Sequence, residues 1–259
     1  MFSIERQSLI LEQLEKEGKV EVNALAVRFS TSKETIRRDL KEMESSGLLQ
    51  KTHGGAIPVE QKRSEGYELP LMARGVHKYD EKQRICKMAA SLLEDGDTIF
   101  LDNSSTTIGL LRYVSKDIKI TVLTNSIQIL LEAGSLKNSN VTVISIGGIF
   151  NEKNYSIVGV LSRSFAQNFF PDKAIMSCRG VDETSGLTEA NVQEIELKRE
   201  MLTRSKQFIL MADHSKFGLV GPVYLGGLEE VDCLITDSKS DLQKLKMFEP
   251  FKTRIIFAE

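Results

Sequence analysis

Apolar residues recur at helical spacing in three short blocks at the start of the chain. Ile10, Leu11 and Leu14 share one face of a helix predicted over 4–17, with Ser3 as its candidate cap. Val22, Leu25, Ala26 and Phe29 do the same over 22–29. A third helix opens at Thr31, whose spacing to Glu34 is that of a capping box. It turns Ile36, Leu40 and Met43 inward and stops at Gly47. Residues 48–57 read as a short hairpin turning at Gly54-Gly55, with a loop as the alternative. Over 58–75 the periodicity is lost, with Gly66 and Pro70 as punctuation, and a linker is predicted. The rhythm then changes. Strand patterns TIFLD (98–102), KITVLTN (119–125), VTVISIGGIF (141–150), DKAIMSCRGVD (172–182), QFILMADHSKFG (207–218), VDCLITD (231–237) and TRIIFAE (253–259) follow one another. Helical patterns IGLLRYV (108–114), SIQILLEAG (126–134), VLSRSFAQNF (160–169) and 192–204 fall between them. Such alternation predicts a mostly parallel sheet covered on both faces, an α/β domain. The predicted organisation is a small, mostly helical unit over 1–57, a linker over 58–75 and an α/β domain over 76–259.

Composition narrows the classes. With 41% hydrophobic and 27% charged residues, the 259-residue chain can bury an ordinary core. A net charge of −2, from 34 basic and 36 acidic residues, excludes a global polyanion binder, so any nucleic-acid face has to be local. Cys86, Cys178 and Cys233 lie far apart and the chain holds three histidines, which argues against a structural zinc site and predicts neither metal nor cofactor. Charges run through the first 18 residues and the apolar runs are strand-length, so the expected location is cytoplasmic, without a membrane span.

Charge is concentrated on the third helix. Over 28–41, Arg28, Lys33, Arg37, Arg38 and Lys41 oppose Glu34 and Asp39, a local +3, whereas residues 1–56 hold nine basic and nine acidic residues. With the apolar stripe inward, the outer face carries Glu34, Arg38 and Lys41, flanked by Thr35 and Arg37. A solvated helix face is the plain reading. The preceding short helix and the tight RFSTSKET turn favour a helix-turn-helix whose third helix enters the DNA major groove. Arginine there can read guanine edges, and lysine adds salt-sensitive phosphate affinity.

In the second half, DNSSTT (102–107) lies between a strand and a predicted helix, with Ser104, Ser105, Thr106 and Thr107 all hydroxylated. It reads either as a helix cap or as an anion site made of N–H groups, hydroxyls and a helix dipole. Gly147-Gly148 could let backbone approach a ligand, or simply turn; Asp213, His214 and Lys216 mark another strand end. In an open α/β sheet these ends share one rim, where ligands bind.

The run TIRRDLKEMESSGLLQKTHGGA resembles the N-terminal signature of the DeoR family of bacterial transcription regulators. GDTIFLD, TVLTNS, the glycine pair at 147–148, RGVD, GLT and ADHSKFG extend the resemblance through nearly the whole chain. It implies a winged helix-turn-helix followed by an α/β sensor domain similar to sugar-phosphate isomerases and deaminases. By that resemblance residues 32–46 form the recognition helix, with Ser32, Lys33, Thr35, Arg37, Arg38 and Lys41 toward DNA, and Lys51, His53 and Gly54-Gly55 form the wing. Asp102 and Ser104, Ser105, Thr106 and Thr107 would form the phosphate-side loop, with Asn125, Gly148, Asp182, Asp213 and Lys216 near the sugar. Two departures stand out: Asp102-Asn103-Ser104 replaces the common D-S-G, and Arg179 occupies a position usually small or acidic.

The resemblance implies a repressor of a sugar or polyol catabolic operon, not an enzyme. Its partners would be double-stranded operator DNA and a sugar-phosphate effector, and its state a homodimer or homotetramer. The alternative is a sugar-phosphate isomerase or deaminase fused to a DNA-binding module. That would need a carboxylate base and an acid across the loop, for which Asp182, Glu189, Glu194 and Asp213 are the raw material.

Overall fold

The computed structural model describes residues 2–59 and 69–259. The chain divides into two compact units, 1–80 and 81–259. The first consists of α1 (Ser3–Glu17), β1 (Val20–Glu21), α2 (Val22–Arg28), α3 (Lys33–Ser45), β2 (Gln50–Lys51), β3 (Gly55–Ile57) and α4 (Leu71–Val76). Ile10, Leu14, Leu25, Ile36, Leu40 and Met43 meet in one core, as their spacing requires. The cap of α3 is one residue later than the Thr31–Glu34 spacing suggests. Ser32 Oγ accepts the Thr35 N–H at 3.0 Å, and Gly47 ends the helix with φ +71°. Ser3 is the first residue of α1 rather than its cap; its hydroxyl donates instead to Asp39.

Antiparallel pairing in the order β1-β3-β2 makes the wing. A Cβ on Gly55 would lie 1.8 Å from the Val20 carbonyl oxygen, so only glycine lets β3 lie against β1. Gly54 has open space around it. The helix α4 falls inside the stretch expected to be linker. It packs Ala73 and Val76 into the helix-turn-helix core, while 60–68 lies outside the described residues.

Asp39, one of the two acidic residues in the local +3 charge sum, is fully buried. Arg6 holds it through Nε to Oδ2 at 2.5 Å and through its terminal nitrogen to Oδ1 at 3.0 Å, which locks α1 to α3. The hydrogen bonds to Asp39 raise the Arg6 pKa against the opposing effect of burial.

The helix α5 (Tyr79–Ala90) leads into the second unit. Its main strands are β4 (Thr98–Leu101), β5 (Ile120–Thr124), β6 (Val141–Ser145), β9 (Lys173–Met176), β12 (Gln207–Met211), β14 (Cys233–Asp237) and β15 (Arg254–Ala258). All pairs are parallel, in the order β15-β14-β12-β9-β4-β5-β6. The central strands are buried apart from the first residues of β4 and β12, hence their apolar runs, whereas edge strand β6 is partly exposed along its length. Alternate residues face opposite layers. Phe100, Ala174, Phe208 and Leu234 join α7 (Val160–Ala166) and α8 (Val192–Arg204) on one side. Ile99, Leu101, Ile175 and Ile209 join α5 and α6 (Ile127–Leu136) on the other. A hairpin of β7 (Ile149–Asn151) and β8 (Ser156–Val158) and an antiparallel sheet β10-β11-β13 (Gly180–Asp182, Gly186–Glu189, Val223–Gly226) complete the unit with α9 (Leu242–Leu245). The expected helix over 108–114 is instead a run of turns and a 3-10 helix, Leu110–Tyr113.

Removing Asp39 strands a buried guanidinium, which typically costs about 3–5 kcal/mol. Asp39→Ala should therefore raise amide exchange throughout α1 and α3 by a matching factor. The double variant Arg6→Met/Asp39→Leu should recover most of the protection. Exchange in Asp39→Ala indistinguishable from wild type would show that the pair is not structural.

Candidate functional site

Strands β4, β5 and β6 run outward in one direction, and the chain then returns to place β9 on the other side of β4. This reversal makes the C-terminal ends of β4 and β9 a topological switch point, the place where open α/β sheets bind ligands. Residues 102–107 leave β4 there, and Ser177 and Cys178 leave β9.

A buried ion cluster lies at these strand ends. Asp102 is fully buried: Oδ2 sits 2.7 Å from Lys198 Nζ and accepts the Ser177 N–H at 3.2 Å, and Oδ1 accepts the Thr107 hydroxyl at 2.8 Å. Lys198, from α8, also reaches Glu189 and donates to the Ser177 carbonyl at 2.9 Å. Burial disfavours its charge, but the fields of Asp102 and Glu189 prevail and raise its pKa. The Cys178 thiol beside this cluster is pushed up to about 12 by burial, which disfavours its thiolate.

The hydroxyl loop divides in two. Thr107 Oγ1 is engaged with Asp102 and Ser104, and Ser104 Oγ with Thr107, at 2.8–3.1 Å, so both hydroxyls are committed to the loop itself. Ser105 Oγ accepts from Lys82 Nζ at 3.1 Å, and the Thr106 hydroxyl has no hydrogen bond among the described residues. Since no helix follows the loop directly, the expected helix-dipole contribution to anion binding falls away.

Asp213 is buried after β12. Burial would raise its pKa, but the positive fields of Lys216 and Lys82 and the Ser215 hydrogen bonds hold it below the usual carboxylate range. Lys216 is half-buried and has no ion pair among the described residues. Asn125, after β5, is buried with Nδ2 donating to the Ile157 carbonyl at 3.1 Å.

Two expected residues have structural duties elsewhere. Gly148 packs on α7, where a Cβ would meet Ser162 Oγ at 2.1 Å, so the close approach is to protein rather than ligand. Asp182 accepts the Thr184 and Ser185 N–H groups, which cap its own hairpin and lower its pKa. It lines a separate cleft with Gly218, Gln243 and Lys244.

Sequence reasoning missed Lys82, Lys198 and the support behind the loop. Asn103 Nδ2 donates to the Asn154 carbonyl at 2.8 Å, and Asn154 Nδ2 and Ser156 Oγ donate to Glu194 Oε1 at 2.9 and 2.7 Å. The one available signal was the Glu194–Lys198 spacing, which puts both on one face of α8.

On α3, Ser32, Lys33, Arg37, Arg38 and Lys41 are exposed and Thr35 half-exposed. Arg37 makes an open 3.3 Å pair with Glu34, worth little in water. Neither Arg38 nor Lys41 has an ion pair among the described residues. In the wing, His53 is exposed and Lys51 half-exposed, the latter with its N–H on Glu44 at 2.8 Å.

Burial raises the Glu194 pKa above the ordinary carboxylate value despite Lys198 and its two donors. A carboxyl raised in the folded state stabilises fully below its unfolded pKa, about 4.3. That contribution is lost as pH rises through the folded pKa. Glu194→Gln, which keeps the acceptor, should flatten this segment of the stability profile and raise the melting temperature at neutral pH. Parallel wild-type and variant profiles from pH 4 to 8 would contradict it.

The chain matches the DeoR-like helix-turn-helix domain over residues 6–62 and the DeoR C terminal sensor domain over 77–238. It is 36% identical to the uncharacterized HTH-type transcriptional regulator YulB of Bacillus subtilis, over 98% of this chain and 96% of the relative. It is 29% identical to the glycerol-3-phosphate regulon repressor of Escherichia coli, over 92% of each. Among solved structures, ribose 5-phosphate isomerase A from Methanocaldococcus jannaschii aligns with 53% of this chain and 54% of its own, at TM-score 0.40 and 17% identity, too partial a likeness to argue from. On the strength of both domains and the full-length relative, the chain belongs to the DeoR family of DNA-binding transcriptional regulators and is not a sugar-phosphate enzyme.

Proposed function

We propose that this regulator represses a sugar or polyol catabolic operon and is controlled by a phosphorylated sugar metabolite bound at the β4/β9 switch point. The observation that carries the effector reading is Lys216. This ammonium is half-buried and without an ion pair among the described residues, and its positive field and that of Lys82, which donates to Ser105, both reach Asp213. A phosphate monoester satisfies such a set through charge-assisted hydrogen bonds. The Escherichia coli relative, named for glycerol-3-phosphate, agrees with this reading.

At the switch point, Ser105, Thr106 and Lys216 touch the phosphate side, with Asn125 and Asp213 beside the sugar. Asp102, Ser104 and Thr107 shape the loop without contacting ligand. On the DNA side, Ser32, Lys33, Thr35, Arg37, Arg38 and Lys41 meet the duplex, with Lys51 and His53 in the wing. A single recognition helix reads few base pairs, so a homodimer or homotetramer on repeated half-sites accompanies this mode of reading.

Lys216→Met should weaken a bound sugar phosphate by about tenfold or more, the loss of a hydrogen bond to charge, and leave effector-free DNA affinity unchanged. Calorimetry on phosphorylated sugars and polyols measures this, and wild-type affinity in the variant would refute the site. Arg38→Ala should abolish preference for the operator over random duplex. Lys41→Ala should weaken both alike and reduce the salt slope by about one. Unchanged operator titrations for Arg38→Ala would remove this face from DNA recognition.

A further inference from the structure

The short helix α7 is turned the wrong way round for a surface helix. Its buried residues are the small ones, Ser162 and Ala166, whereas Val160 and Leu161 are 72% and 69% exposed and Phe165 also faces solvent. A surface helix ordinarily turns its large apolar side chains inward and small or polar ones outward. Leu161 and Phe165 are four residues apart, so they share one outward stripe. The neighbouring hairpin repeats the inversion, with Ile149 and Phe150 of β7 both exposed, as is Val192 at the start of α8.

These residues make one face. Ile149, Phe150, Val158, Val160 and Val192 line a single cleft of about 570 Å³ between the hairpin, α7 and α8. Leu161 and Phe165 continue along α7 from Val160 as a ridge beside that cleft. The exposed apolar side chains present on the order of 700 Å², more than the roughly 300–600 Å² of the largest patch on an ordinary monomer and close to the about 800 Å² a side of a specific interface. The face is also held in one shape. Asn103 and Asn125 donate to the Asn154 and Ile157 carbonyls of the hairpin, and Glu194 accepts from Asn154 and Ser156. A preformed face loses little freedom on association.

The rim narrows the choice of occupant. Glu152, Lys153 and Glu196 line the same cleft, and Arg163 on α7 pairs with Glu200 at 3.1 Å. Both signs of charge on one rim suit a surface that meets its own copy, and suit neither a strongly acidic nor a strongly basic partner. A ridge beside a cleft is self-complementary in the same way, because a two-fold operation can set each ridge over the other copy's cleft.

We propose that the β7–β8 hairpin, α7 and the start of α8 form the face on which a second copy of the chain docks through a two-fold contact, Leu161 and Phe165 of each copy entering the cleft of the other. This rests on the proposed pairing of recognition helices and names the surface that the pairing uses.

The test is sedimentation velocity on the full-length protein at micromolar concentrations, with far-UV circular dichroism to verify that each variant is folded. Leu161→Glu should weaken self-association by about a hundredfold, because a two-fold contact takes the buried charge twice. The milder Phe165→Ser should weaken it by about tenfold, and it decides the matter where Leu161→Glu does not fold. Leu242→Glu charges a similarly exposed leucine on α9 and should leave the assembly unchanged. A wild-type assembly that survives both ridge variants would overturn the inference while leaving the pairing itself standing, and would give the face to a different protein or an apolar ligand. An equal loss in Leu242→Glu would overturn it as well. A wild type that is monomeric throughout would overturn the paired reading, and the inference with it.

Discussion

The sensor's switch point depends on Lys198. An ammonium only 5% exposed remains charged because two carboxylates enclose it, Asp102 from the end of a central parallel strand and Glu189 from an antiparallel one. Those attachments join the two sheets at one point. Asp102 is consequently gripped by Lys198, by the Ser177 N–H and by Thr107, and the loop that continues from it has one shape. Ser104 and Thr107 close that loop on itself, and Ser105 accepts from the buried Lys82. The buried charges of Asp102, Glu189 and Lys198 are compensated within the protein, whereas half-buried Lys216 has no ion pair among the described residues.

The DNA-binding unit follows the same division. Arg6 and Asp39 neutralise each other in the core and set the angle between α1 and α3. Arg38 and Lys41, on the opposite face of α3, have no carboxylate holding them among the described residues. A cation already paired would have to break that pair to reach a phosphate, so their isolation suits a surface that meets DNA. Gly55 sets the wing for a purely steric reason, the 1.8 Å approach of β1.

Much of this was legible where the physics is local. The inward stripe of Ile36, Leu40 and Met43 and the stop at Gly47 follow from helical period and from glycine's access to positive φ. The alternation of strand and helix indicated the parallel sheet for the same kind of reason. Errors arose where two local choices differ by little. Ser32 and Thr31 are both good caps, and the one whose hydroxyl met a free N–H prevailed. The stretch 108–114 has helical spacing but forms a 3-10 turn. Short α4 has a few apolar residues and a glycine, too weak a pattern to distinguish from linker before Ala73 and Val76 found a core.

By itself, then, the sequence determined the element types, the basic outer face of α3, the wing glycines and the hydroxyl loop at a strand end, because periodicity, sterics and residue chemistry act over a few neighbours. Tertiary structure alone decided which charges are buried and which are exposed. Asp39 became a lock because Arg6, 33 residues away, lies opposite it. Asp102 became one end of an ion cluster because the sheet reverses its order between β4 and β9 and brings α8 over that gap. Strand order and helix placement are products of the whole chain's packing, and no spacing within a short window encodes them.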